Sequence, residues 1–398
     1  MLVGYPSLID VMKVGKAAIS MIRAAHTTCR DPVEAVRDFH EQVAQPDMAL
    51  VLFFCSSRYD LDRIGAELQA LFGSVPVAGC TTAGEIGPGG YRDHSISGLS
   101  FPSDSFSVSA ELLGPLETLE VSDAQHAAAR LKCRMPEASP GGGSNPFAFL
   151  MVDGLSRREE PLIAAAHNAL GAIPIIGGSA ADDLHFSETW VYFNGRFLSD
   201  HAVLLLLDSD CPVTTVRSQH FVATDRRMVI TGADPLRRCV TEINGLPAAR
   251  EYARLIGADL EELNLDRFAF SPVVVMVNGE EYVRSIQRAN ADGSLTFHCA
   301  IEEGLVIRIA EGVDLRENLK KDLAAVADRI GPPQVILGCD CVLRNRELTH
   351  GALKEAVGTL MEENLVVGFS SYGEQYGSVH VNQTFTALAI GQPGGCQP

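Results

Sequence analysis

Apolar residues fall into short unbroken runs, each followed by a stretch where they recur every three or four positions, and this alternation repeats along the chain. Ala49-Leu-Val-Leu-Phe-Phe-Cys55 has the length and continuity of a strand buried on both faces. Leu61, Ile64, Leu68 and Leu71 follow at helical spacing, and the chain then enters Val75-Pro-Val-Ala-Gly-Cys-Thr-Thr-Ala-Gly-Glu85. The pattern returns as Phe147–Gly154, a helix marked by Leu162, Ala166 and Leu170, and Ile173-Pro-Ile-Ile-Gly-Gly-Ser-Ala-Ala-Asp-Asp183. It returns again as Gln334–Cys341, a helix marked by Leu353, Val357 and Leu360, and Leu365-Val-Val-Gly-Phe-Ser-Ser-Tyr-Gly-Glu374. Strand, helix and strand within about 30 residues predict a right-handed crossover between parallel strands. The closing segments align at Gly79, Gly177 and Gly368, which are expected to occupy equivalent turns. Each has a hydroxyl two residues later (Thr81, Ser179, Ser370) and a carboxylate six residues later (Glu85, Asp183, Glu374).

Elsewhere the period shortens to two. Asn194-Gly195 sits between alternating apolar residues, the strongest short hairpin signal. Further hairpins are predicted at Asn278-Gly279 and Asn290–Gly293, with strands over 294–300 and 306–309. Helices are predicted over 247–256 and 315–330. The fold class is α/β in mixed α+β form: repeated strand-helix-strand units with added antiparallel hairpins, in two related domains. The expected division is an N-terminal helical segment (1–31), an amino-terminal domain of two units (32–210), a carboxy-terminal domain with the third (211–391) and a disordered tail (392–398). Pro140–Pro146 reads as a flexible connection between the first two units.

Composition narrows the function classes. The chain has 398 residues, with 32 Lys and Arg against 50 Asp and Glu, a net charge of −18. That balance argues against sequence-independent binding to nucleic acid or to an anionic lipid surface. No apolar run approaches the ~20 residues of a membrane span, and the first thirty residues carry no secretion signal, so cytoplasm is expected. Ten cysteines include no CxxC. Cys339-Asp340-Cys341 would turn two thiols to one strand face, an arrangement that suits metal or redox chemistry. Two small residues ending a buried strand explain it more simply.

Val77–Glu85, Ile175–Asp183 and the Asn194-Gly195 hairpin resemble the amino-terminal half of a FIST domain. Gly368–Tyr376, followed by His380-Val-Asn-Gln-Thr-Phe385, resembles its carboxy-terminal half. The resemblance spans roughly residues 32–391 and implies a sensory module for small ligands. Gly338–Arg344 and Tyr372–Phe385 look closest to stand-alone FIST haemoproteins that sense nitric oxide and regulate a partner histidine kinase, and through it biofilm and cyclic-di-GMP behaviour. That subgroup implies haem b as cofactor. The runner-up is a non-haem receptor for an amino acid or similar metabolite, and a homodimer stays open.

Three sets of residues are candidates for chemistry. The Gly-x-hydroxyl loops end strands at the carboxyl edge, where open α/β sheets bind ligands. Thr81, Thr82, Ser179, Ser370 and Tyr372 would supply hydroxyls, and Glu85, Asp183 and Glu374 carboxylates, unless these side chains only satisfy their own turns. A haem iron needs an imidazole on a rigid wall beside an apolar cavity. His380 opens a strand directly after the third loop and is the first candidate, with His94 and His298 as alternatives and Cys80 and Cys299 as thiolates. An amidase-like hydrolase using His380 and Asn382-Gln383 is the third class, but no GxSxG, HExxH or Walker pattern supports an enzyme.

Overall fold

The computed structural model describes residues 21–135, 143–277 and 279–393. Most of the N-terminal segment, residues 140–142 of the Pro140–Pro146 connection and most of the tail lie outside the described residues. Three units of one design make up the body. The first runs β1 (Arg23–Thr27), α1 (Pro32–Val43), β2 (Met48–Ser56), α2 (Leu61–Phe72) and β3 (Val77–Thr82). A hairpin of β4 (Glu85–Gly87) and β5 (Gly90–Arg92) follows, then a returning strand β6 (Ile96–Pro102). The second repeats this order: β7 (Phe106–Leu113), α3 (Val121–Arg134), β8 (Phe147–Val152), α4 (Glu159–Leu170) and β9 (Ile175–Ser179). Its hairpin is β10 (Val191–Phe193) and β11 (Arg196–Leu198), and its returning strand β12 (Ala202–Ser209).

The third unit opens with β13 (Val213–Ser218) and is then interrupted. The insertion comprises β14 (Phe221–Asp234), β15 (Cys239–Ile243), β16 (Leu246–Pro247), α5 (Ala248–Ile256) and α6 (Leu265–Phe270). It continues through β17 (Val273–Val277), β18 (Glu280–Arg284), β19 (Ile286–Ala289), β20 (Leu295–Phe297) and β21 (Val306–Gly312). The unit then resumes with α7 (Leu315–Ile330), β22 (Pro333–Cys341), α8 (Val342–His350), α9 (Lys354–Glu363) and β23 (Val366–Ser371). It ends in the hairpin β24 (Glu374–Tyr376) and β25 (Val379–Val381) and the returning strand β26 (Phe385–Gly391).

Each unit pairs its two crossover strands in parallel, as the βαβ pattern predicts. Each then gives its hairpin away. The hairpin of the first unit extends the third sheet by pairing with β23, that of the third pairs with β9, and that of the second pairs with β3. The exchange closes a ring of three six-stranded sheets in matching strand order. Their inner faces share one core, in which Phe54 stacks on Phe369 with ring centroids 4.5 Å apart and meets Phe149 at 6.2 Å. The amphipathic helices cover the outer faces, burying α2 through Ile64 and Leu68 and α7 through Leu319, Leu323 and Val326.

Two expectations change. Residues 23–27 form an edge strand on β6 rather than a helix, because Ala25 and Thr27 turn inward at period two. The aligned glycines lie inside strands rather than in turns. Gly79 pairs with Phe53, Gly177 with Leu150 and Gly368 with Gly338, and a Cβ at each would overlap that partner's carbonyl oxygen. The units are nonetheless equivalent at these positions. They are equivalent again at His94, Asp200 and Gln383, each left-handed (φ 55°, 54° and 50°) and two residues ahead of its returning strand. The hairpins expected in the carboxy-terminal half belong to the insertion, an antiparallel body with its own core around Tyr252, Phe268 and Phe297.

Candidate functional site

The three Gly-x-hydroxyl loops do converge, and they bind one another. Ala83 N–H donates to the Ser370 carbonyl (2.9 Å) and Ser370 N–H to that of Gly84 (2.7 Å). Ser179 N–H donates to Gly373 (2.8 Å) and Ala181 N–H to Thr81 (2.9 Å). Thr81, Thr82, Glu85, Ser179, Ser370 and Glu374 are therefore buried at the ring centre rather than lining a pocket rim. Glu85 lies against the Thr82 hydroxyl and accepts from Ser95 Oγ (2.6 Å) and Ser95 N–H (3.0 Å). Glu374 repeats the motif with Ser371 Oγ (2.7 Å) and Thr384 Oγ1 (2.8 Å). Burial pushes both carboxyls up to about 8, so they are protonated at neutral pH. These groups hydrogen-bond within their own loops.

Tyr372 and Asp183 are placed differently. Asp183 accepts from Arg58 Nε at 2.9 Å and lines a cavity of about 320 Å³ with Asp93, Arg346 and Lys354. Tyr372 faces a second cavity, of about 310 Å³, between the ring and the insertion. The ring contributes Gly154, Leu155 and Arg157 from the β8–α4 turn and Phe186 from the loop after β9. The insertion contributes Arg238, Gln287, Arg288, Thr296, Phe297 and His298. Phe186 stacks on Tyr372 (4.7 Å between centroids) and leans over His298 (5.8 Å). Asp182 organises this corner, receiving the Tyr372 hydroxyl and the Phe186, Ser187 and Glu188 amides.

Behind the cavity wall lies a buried polar group that is only partly satisfied. Arg238 is held by Glu159 (2.6 Å) and Glu160 (2.5 Å), and it donates to the His298 carbonyl (2.6 Å). Arg284 donates to the His380 carbonyl (3.1 Å), and Ser285 Oγ to Gln383 Oε1 (2.8 Å), joining insertion to ring. Among the described residues, His298 Nε2, His380 Nε2, Gln375 Oε1 and Asn382 Nδ2 have no hydrogen-bond partner. Four such atoms in one neighbourhood cost several kcal/mol unless something meets them, at about 1–3 kcal/mol each. Burial lowers the pKa of His298 to about 3, helped by the charge of Arg238, and also lowers that of His380. Both rings are neutral at pH 7, and each unpaired Nε2 can accept or donate a hydrogen bond according to its tautomer.

The three histidines expected as haem ligands differ in their surroundings. His380 is pressed against Gly373, where even a Cβ would overlap the ring. His94 is partly exposed, its Nδ1 2.6 Å from Arg30. His298 lines the 310 Å³ cavity, whose walls mix three arginines with Phe186, Phe297 and Tyr372. None of the three, as arranged, borders the flat apolar slot that a porphyrin requires. Cys80 and Cys299 are buried thiols whose pKa burial raises, and so are Cys339 and Cys341, which belong to separate apolar clusters.

Arg157, Phe186, Arg238 and Arg288 did not stand out from the sequence. A signal was present in Ser156-Arg-Arg-Glu-Glu160, a charged run directly after an apolar strand of a repeated unit. Its counterpart after β22, Arg344-Asn-Arg-Glu347, is charged as well, so the run alone does not single out the second unit.

Two family models match the chain. That of the FIST N domain covers residues 49–246, and that of the FIST C domain covers residues 248–377. Their junction falls inside the insertion, at β16. An uncharacterized protein of Methanocaldococcus jannaschii is 21% identical over 410 residues, covering 91% of this chain and 78% of its own length. Cyanuric acid hydrolase from A. caulinodans superposes over 94% of this chain and 99% of its own, at a TM-score of 0.37 and 9% identity. That likeness is too loose to carry a statement about activity. Among the described residues no helix is long and apolar enough to cross a membrane.

Proposed function

Because the chain belongs to the FIST family, whose domains act in signal transduction as sensors of small ligands, we propose that it takes its ligand into the cleft between the ring and the insertion. The observation that carries this reading is the set of four unpaired buried polar atoms behind a cavity shared by both bodies. A ligand touching both bodies favours one seating of the insertion over others, and so shifts a conformational population. Tyr372 is the connecting part: it reaches the cavity, Asp182 and, through its backbone N–H, Ser179 at the ring centre (3.2 Å). A separate signalling protein, for which a histidine kinase is the proposed class, reads the difference.

A non-haem metabolite receptor fits the size of the cavity, which is at the small end of ligand pockets. Haem-based nitric oxide sensing is the second reading, supported by the unpaired Nε2 of His298 beside the cavity, whereas His380 is enclosed against Gly373. Absorption spectroscopy separates the two. Protein expressed with a haem precursor is expected to purify colourless, and a thermal-shift screen of metabolites to yield a hit that Tyr372→Ala abolishes. A stoichiometric Soret band that moves with nitric oxide and fades in His298→Ala or His380→Ala would replace the metabolite reading with haem.

A further inference from the structure

We infer that the cleft selects an oxyanion, a carboxylate or a phosphate, carried on a small flat apolar body. This rests on placing the ligand site in that cleft. The chain carries a net charge of −18, yet three arginines and no carboxylate line this cavity. Three other arginine-bearing cavities carry Asp93 and Asp183, Glu302, or Glu280 and Asp322 on their walls. Arg238 is neutralised from behind by Glu159 and Glu160. Arg157 and Arg288 are exposed and, among the described residues, have no carboxylate within ion-pair distance. Two unpaired guanidinium groups at one cavity, one from each body, offer charged donors to an oxyanion.

The rest of the cavity specifies the body of the ligand. Phe186 adopts φ 51°, a left-handed conformation that a bulky side chain rarely takes. Its amide is tied to Asp182 Oδ1 at 2.9 Å, and that carboxylate also receives the Tyr372 hydroxyl. The strain holds an aromatic face over the cavity, where Phe297 supplies a second. His298 adds a buried Nε2 without a partner among the described residues, available to a polar substituent.

Titration calorimetry of the full chain with benzoate, phenyl phosphate and the cation benzamidine tests this. Benzoate or phenyl phosphate is expected to bind, about tenfold or more weakly in Arg157→Ala/Arg288→Ala, since a charge-assisted hydrogen bond is worth that much. Both residues are exposed, so circular dichroism should find the variant folded. Which of the two anions binds distinguishes carboxylate from phosphate. Lys354→Ala, on the rim of the other cavity, should bind as the wild type does. Binding of benzamidine alone, abolished by Tyr372→Ala, would overturn the oxyanion and leave the cleft as the site. Anion binding unaffected by the double arginine variant would overturn the assignment to these residues. If none of the three probes binds, the oxyanion inference fails; if the metabolite hit also survives Tyr372→Ala, the cleft fails with it.

Discussion

At the scale of single residues, two of the three aligned carboxylates are buried among the hydroxyls of their own loops. Glu85 and Glu374 take the same place in two units, each among hydroxyls and amides at the ring centre. Their raised pKa, about 8, has a consequence for stability. An acid that is protonated in the fold and ionised in the unfolded chain stabilises most at low pH. The contribution is complete below the ordinary carboxylate pKa of about 4.3 and is lost as pH rises towards 8, at up to ~1.4 kcal/mol per pH unit for each group. Glu85→Gln/Glu374→Gln should therefore show a flatter loss of stability than wild type between pH 5 and 8, read as urea midpoints. An equal slope in both proteins would mean that these carboxyls ionise in the fold. The spacing of hydroxyl and carboxylate was legible in the sequence. Whether such a loop faces a ligand or its own neighbours depends on the other two units, which local spacing does not encode. Asp183 shows this: it aligns with the two glutamates but pairs with Arg58 at a cavity.

At the scale of elements, the three crossovers and the Asn194-Gly195 hairpin follow from period and turn chemistry, and the structure has them. Ownership of the hairpins was not legible. A three-residue strand such as Glu85–Gly87 carries no mark of the sheet it joins, and all three join a neighbour's. The extent of the insertion was hidden for a related reason: its Asn244-Gly245 and Asn278-Gly279 turns give the same hairpin signal as Asn194-Gly195 of the ring. Its ends are adjacent, with Phe221 paired to Gly312 and Val313 N–H donating to the His220 carbonyl at 2.8 Å. Replacing residues 221–312 by a short Gly-Ser linker should therefore leave a folded ring, because loop closure at this point is inexpensive. Circular dichroism and a cooperative melt would register it, and ligand binding should be lost. A ring that fails to fold would show that the contacts of Arg284 and Ser285 with the third unit are needed for its stability.

At the scale of the whole molecule, a near-symmetric ring gains one distinctive site where its symmetry is broken. The ring buries its repeated loops against each other. The insertion, present in the third unit alone, meets the second and third units along a cleft lined by His298, with the unpaired atoms of His380, Gln375 and Asn382 behind its wall. The output surface is expected on the insertion, where Leu236 is 89% exposed and Met276, Leu260 and Val306 are also open to solvent. Amide hydrogen exchange of the full chain, with and without the metabolite that raises Tm most, tests the placement of the site directly. Protection is expected in residues 154–157, 286–298 and 372–383, with the first unit unchanged. Protection confined to the segments around Arg58, Asp93 and Arg346 would contradict it.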